Sequence, residues 1–262
     1  MAIKAVIFDL DDTLVVEQAS AQDAFLAACA LVHKRYDIDP TELCQTVREK
    51  ARELWHRSPA RPYCVSIGIS SWEGLWARFY GDEPNLKILR EWAPIYRRES
   101  WDRALAEHGV DNLLFADELA AVFQKERRVR HIVYLDVEPV LKDLREKYKL
   151  GLVTNGAPDL QREKLRGSKL GAFFDVVIIS GEVGIGKPDP RIFNLVCERL
   201  NVGSETAVVV GDTLGRDISG AQRAGIRAIW LNRDNRERNG SVEPDHEVES
   251  LSELGEYLSC LE

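Results

Sequence analysis

The sequence predicts an α/β protein with a doubly wound parallel sheet, interrupted after its first strand by a long helical insertion. Three observations carry this. An apolar run at Val6-Ile7-Phe8 stops abruptly at Asp9, and a run without polar alternation reads as a strand buried on both faces. From Glu138 onward, short apolar strands alternate strictly with helical patterns, which specifies parallel strands with helices on both faces. Between these parts every periodic segment is helical. The predicted sheet domain is therefore discontinuous, covering 1–15 and 136–262, with a helical cap over 16–135.

In chain order, Glu17 to Tyr36 carries apolar residues at Ala21, Phe25, Ala28, Leu31 and Val32, close to a helical period. Asp39-Pro40-Thr41-Glu42 is a start signal, with Asp39 as N-cap and Pro40 in the first turn, for a helix running to about His56. Arg57 to Ser70 contains Pro59, Pro62 and Gly68 and reads as a loop. Helical patterns resume over Ser71 to Tyr80, Leu86 to His108 and Phe115 to about Arg128. Trp55, Trp72, Trp76, Trp92 and Trp101 all fall here, and aromatics at such spacing are most often core. Glu138-Pro139 starts another helix. Strands are then expected over Leu150–Val153, Phe174–Ile179, Ala207–Val210 and Ala228–Leu231, with helices over Pro158–Arg166, Pro188–Leu200 and Arg216–Ala224. Asn232 to His246 is polar and reads as loop.

Apolar content of 45% and charged content of 30% are those of a soluble globular chain. The net charge of -8 argues against nucleic acid as a partner, because a phosphate backbone rewards a basic face. No apolar run approaches the ~20 residues needed to cross a bilayer, and no secretory signal precedes Asp9. The 5 cysteines are scattered and lack CxxC spacing, which suits reduced thiols in the cytoplasm rather than a zinc site.

The chemistry concentrates at strand ends, where open α/β sheets bind their ligands. Asp9 and Asp11 share a face if the strand continues, so their carboxylates converge. Two such carboxylates repel unless a cation or a shared proton intervenes, which points first to a divalent metal; an acidic turn is the plainer alternative. Thr154-Asn155-Gly156 supplies two donors beside an approachable backbone, although Asn-Gly is also an ordinary turn. Lys187, just before Pro188 and a helix, suits a phosphate as a point charge, or is simply a surface lysine. Asp212 closes the strand Val208-Val209-Val210-Gly211 where a metal ligand would sit. Asp217 lies near a helix start and alternatively just favours that N-terminus.

These four stretches, in this order, resemble the motifs of the haloacid dehalogenase superfamily. Asp9-Leu10-Asp11-Asp12-Thr13 matches the first, Thr154-Asn155-Gly156 the second, Lys187 the third, and Gly211-Asp212 through Asp217 the fourth. The resemblance implies a Rossmann-like core with a helical cap inserted between the first two motifs. It implies that Asp9 is the nucleophile forming an aspartyl-phosphate and that Asp11 is the general acid and base. Mg²⁺ would be held by Asp9, the Asp11 backbone carbonyl and Asp212, with Asp217 orienting metal-bound water. Thr154, Lys187 and groups around Asn155 would bind the phosphoryl oxygens.

The implied activity is hydrolysis of a small-molecule phosphate ester by a cytoplasmic monomer or homodimer. Asp11 favours this over 2-haloacid dehalogenation, since a halide needs no acid to leave and dehalogenases of the superfamily lack the second aspartate. A phosphomutase retains both aspartates and stays open. Thr154-Asn155-Gly156 continuing to Gln161-Arg162-Glu163-Lys164, with Ser71-Trp72-Glu73, resembles N-acylneuraminate-9-phosphate phosphatases and related sugar-phosphate or nucleotide phosphatases. Within the cap, Arg61, Tyr63, Arg97 and Arg98 are candidate substrate contacts, although solvated helix faces explain Arg97 and Arg98 equally well.

Overall fold

The computed structural model describes residues 2–238, 240 and 242–261. In chain order its main elements are β1 (Ala5–Phe8), α1 (Gln18–Tyr36), α2 (Pro40–Trp55), α3 (Arg61–Ile67), α4 (Ser71–Gly74), α5 (Pro84–Glu107) and α6 (Leu113–Arg128). There follow α7 (Val137–Arg145), β2 (Lys149–Thr154), α8 (Pro158–Ser168), β3 (Val176–Ile179), α9 (Ser180–Val183) and α10 (Pro190–Leu200). The chain ends with β4 (Ala207–Gly211), α11 (Ser219–Arg223), β5 (Arg227–Leu231), β6 (His246–Val248) and α12 (Leu254–Ser259). It divides into two compact units, one of residues 1–16, 132–155 and 164–262, the other of 17–131 and 156–163.

The first unit is a 6-stranded sheet in the order β3-β2-β1-β4-β5-β6, parallel throughout. β1 is central, and Val6 and Phe8 face one apolar layer while Ala5 and Ile7 face the other. That two-sided burial explains why β1 reads as a continuous apolar run. The strand order reverses between β1 and β4, placing the carboxyl ends of β2, β1 and β4 side by side at the switch point. β6, three residues long, adds a strand where loop was expected up to His246; so short a run carries no readable period. Where the chain leaves and re-enters this unit, Val16 N–H donates to Ile132 O at 2.9 Å and Tyr134 N–H to Leu14 O at 3.2 Å, forming a short two-stranded ribbon.

The second unit is helical around its own core. Trp55, Trp76 and Trp101 are buried there, and Trp72 and Trp92 pack against it half-buried. Asp39 caps α2 as expected, accepting from Thr41 and Glu42 N–H at 2.9 Å each. Two expectations fail here. The stretch 57–70 is not all loop: Pro62 sits in the first turn of α3 and Gly68, at φ 76°, ends it, so these supposed breakers are its start and stop signals. The helix expected over 71–80 ends at Gly74. The irregular residues after it are stabilised by arginines instead, since Arg97 donates to Gly74 O at 3.4 Å and to Ala77 O, and Arg128 to Trp76 O at 2.6 Å.

Residues 156–163, expected within the sheet domain, cluster with the helical unit. Ala157 and Leu160 belong to its core, Gly156 N–H donates to Ile67 O at 3.1 Å, and Asp159 accepts Arg78 N–H at 2.8 Å. The apolar positions of α8's first turn have their partners there. α8 therefore begins in one unit and ends in the other.

Candidate active site

Asp9, Thr154 and Asp212 lie at the carboxyl ends of the central strands β1, β2 and β4, Asp11 and Asp217 lie in the turns that follow, and Lys187 lies in the loop between α9 and α10. Asp9 directly follows β1 and is buried, its N–H donating to Val210 O at 3.0 Å. Asp12, at φ 57°, turns the chain sharply, and its N–H returns to Val15 O at 2.8 Å. Asp212 directly follows β4, and a helical turn at Leu214–Ile218 brings Asp217 back beneath the strand end. Gly211 permits this approach: a Cβ there would lie 2.5 Å from the Asp217 side chain, a clash no other residue avoids. Asp217 in turn accepts Thr213 N–H at 3.0 Å.

Carboxylate oxygens of Asp9, Asp212 and Asp217 lie within 4.8 Å of one another, all three residues buried. Lys187 reaches into this cluster, its Nζ 2.5 Å from Asp9 Oδ1 and 2.7 Å from Asp217 Oδ1. Three carboxylates face one ammonium, so the cluster carries excess negative charge. Burial pushes the Asp9 carboxyl well above the usual carboxylate range; Lys187 opposes this, while Asp217, Asp212 and Asp11 add to it. Burial, with Asp217 and Asp12, pushes Asp212 up to about 7 against Arg236 and Lys187. Burial works against the Lys187 charge, but Asp217 and Asp9 more than offset it and raise its pKa. An all-oxygen, electron-rich donor set of this kind fits a hard divalent cation.

Thr154 ends β2 and is buried. The Asn155 side chain, a candidate for phosphate binding, clamps the neighbouring loop: its Nδ2 donates to Lys187 O at 2.9 Å and its Oδ1 accepts Lys187 N–H at 2.8 Å. It thereby fixes the backbone that carries the Lys187 ammonium. Arg97, a candidate substrate contact, is engaged with backbone carbonyls, whereas Arg98 is half-exposed and 4.0 Å from Asp117.

The sequence matches the haloacid dehalogenase-like hydrolase family over residues 3–225. The chain belongs to that family. This hydrolase is 39% identical to phosphoserine phosphatase of Thermus thermophilus over 253 residues, 96% of this chain and 98% of the relative. It is 30% identical to N-acylneuraminate-9-phosphatase of Mus musculus over 267 residues, 99% of this chain and 95% of the relative. Among solved structures, a 2-haloacid dehalogenase from Pseudomonas syringae superposes with a TM-score of 0.62 at 29% identity, covering 99% of this chain and 100% of the other.

Two contacts of the hydrolase's site were not anticipated from the residues. Arg236 Nη2 donates to Asp212 O at 2.9 Å, from a stretch read only as polar loop. Lys164 Nζ donates to both carboxylate oxygens of Asp11, at 2.9 and 3.0 Å. In sequence Lys164 is only one residue of the segment after Thr154-Asn155-Gly156.

Proposed function

We propose that this hydrolase is a Mg²⁺-dependent phosphatase of small phosphorylated metabolites, working through an aspartyl-phosphate on Asp9. The observation that carries the reading is the pairing of a buried Asp9, held beside Lys187, with a second aspartate two residues on. An Asp9 oxygen attacks phosphorus as the bond to the ester oxygen breaks, and Asp11 gives its proton to the departing alkoxide. Water then attacks the phosphorus, Asp11 takes the proton, and phosphate leaves with Asp9 restored. Thr154 and Lys187 neutralise the phosphoryl oxygens as charge develops. Asp9, Asp212 and the Asp11 carbonyl would hold Mg²⁺, with Asp217 supporting it through water. The metal supplies counter-charge to the nucleophile and the transferred group.

The similarity to a 2-haloacid dehalogenase raises a competing activity, and Asp11 weighs against it, because halide departs without a proton. The relatives make phosphoserine and N-acylneuraminate 9-phosphate the first esters to try. The 5 free cysteines fit a reducing, cytoplasmic setting, and among the described residues no helix is long and apolar enough to cross a membrane.

The test is release of inorganic phosphate from those esters, other sugar phosphates and nucleotides, with Mg²⁺ or with EDTA, alongside Asp9→Asn. Turnover that requires Mg²⁺ and falls at least about a thousandfold in the variant is expected. Halide release from 2-haloacids, or phosphoryl migration within a sugar without phosphate release, would replace the phosphatase reading.

A further inference from the structure

Lys164 is a buried charge at this site to which the proposed chemistry gives no role. Its side chain is 1% exposed, yet its ammonium meets both oxygens of the Asp11 carboxylate. Burying a lysine is costly unless it is paired, and here the pairing falls on the group to which both proton transfers are assigned. A carboxylate beyond a strand end turns about two side-chain torsions. A cation bonded to both of its oxygens fixes both torsions at once. Proton transfer needs the acid within about 2.6–3.2 Å of its target, and misplacement by about 1 Å can cost a hundredfold in rate. α8, which carries Lys164, starts at Pro158, directly after the turn that follows Thr154. A rigid helix therefore links the position of Asp11 to the phosphate-binding end of β2.

We propose that Lys164 is a positioning residue that orients Asp11 toward the ester oxygen. The inference rests on the reading of Asp11 as general acid, so its test is chosen to fail separately. An alkyl phosphate needs its alkoxide protonated, whereas the nitrophenolate of p-nitrophenyl phosphate leaves readily without a proton. The quantity to measure is the ratio of kcat/KM for the alkyl ester to that for the aryl ester. This ratio is independent of the fraction of folded enzyme, so partial misfolding of a variant does not blur it. In Lys164→Met the ratio is expected to fall about tenfold or more, and Lys164→Arg, which keeps a donor cation, is expected to recover most of it. An unchanged ratio in Lys164→Met would overturn the proposal. A crystal structure of the metal-free Lys164→Met protein gives a second readout: the Asp11 carboxylate should have rotated, and an unmoved carboxylate would equally count against it. An alkyl-to-aryl ratio in Asp11→Asn that matches wild type would instead refute the reading of Asp11 as general acid, and turnover that survives Asp9→Asn would refute the aspartyl-phosphate reading.

Discussion

At the scale of single residues, the electrostatics of the carboxylate cluster predicts how metal and acidity compete. Asp212 is raised to about 7, whereas an unfolded aspartate titrates near ~3.9. At this group the folded metal-free protein therefore binds a proton more tightly than the unfolded chain, and the contribution of Asp212 to stability falls as pH rises from about 4 to about 7, then levels off. A cation binds the ionised form, so the stabilisation by Mg²⁺ should grow with pH over the same interval. Burial raises Asp212 most, Asp217 and Asp12 add to it, and Arg236 and Lys187 oppose it, which together sets this balance. Thermal denaturation at several pH values, with EDTA or with Mg²⁺, measures it; a gap in Tm that narrowed as pH rose would contradict the account. Asp9, Asp11, Lys187, Asp212 and Asp217 were legible as candidates because each sits in a short motif beside a strand end or a helix start, where local sequence marks both the boundary and the chemistry. Lys164 was not. In sequence it is one charge in the run Arg162-Glu163-Lys164, and nothing local says that its side chain is buried against residues more than a hundred positions away.

At the scale of elements, the helical unit depends on one buried and two half-buried arginines to a degree its periodicity conceals. Arg127, on α6, is 1% exposed and donates to Glu17 Oε2 at 2.7 Å, just before α1. Its guanidinium also lies 4.7 Å from the centre of the Trp76 ring. Removing one partner of such a buried pair takes away the counter-charge of the other, so Arg127→Met should cost about 3 kcal/mol. Replacing both residues with methionine should cost less than the sum of the single changes. Urea denaturation of the two single variants and the double variant measures the coupling, and strict additivity would show that the pair does not act as a unit. The same arginine chemistry explains where the periodic reading broke down. Residues 75–80 look helical by apolar spacing, but Arg97 and Arg128 supply donors for their carbonyls, so the chain dispenses with the helix without stranding buried polar groups. Start and stop signals were most legible where one residue acts alone, as at Asp39. They misled where proline and glycine frame a helix as short as α3.

At the scale of the whole molecule, two hydrophobic systems with separate memberships coexist in one chain. The helical unit has its own core, and the sheet has another on each face. Trp55, Trp72, Trp76, Trp92 and Trp101 all belong to the former, while Trp230 packs on the sheet. Tryptophan fluorescence should therefore follow chiefly the helical unit, and its denaturation midpoint should differ from that of far-ultraviolet circular dichroism, which follows both. Coincident transitions would show that the units unfold as one. The alternation after residue 138 made most of the sheet readable, since parallel strands need a long crossover between them, usually a helix; the assignment of residues 156–163 to the helical unit is a tertiary fact with no local sign.

The central position of β1 also bears on how the molecule is made. A ribosome delivers β1 before its neighbours, but the strands that flank it, at 149–154 and 207–211, emerge only after the whole of 17–131. During elongation, at ~5–20 residues per second, the nascent chain holds an apolar strand with neither edge paired while all of 17–131, with its five tryptophans, has already been synthesised. Asp9 thus leaves the ribosome among the earliest residues and is among the last to acquire its surroundings. No ribosome-bound fragment ending before Asp212 can assemble the carboxylate cluster.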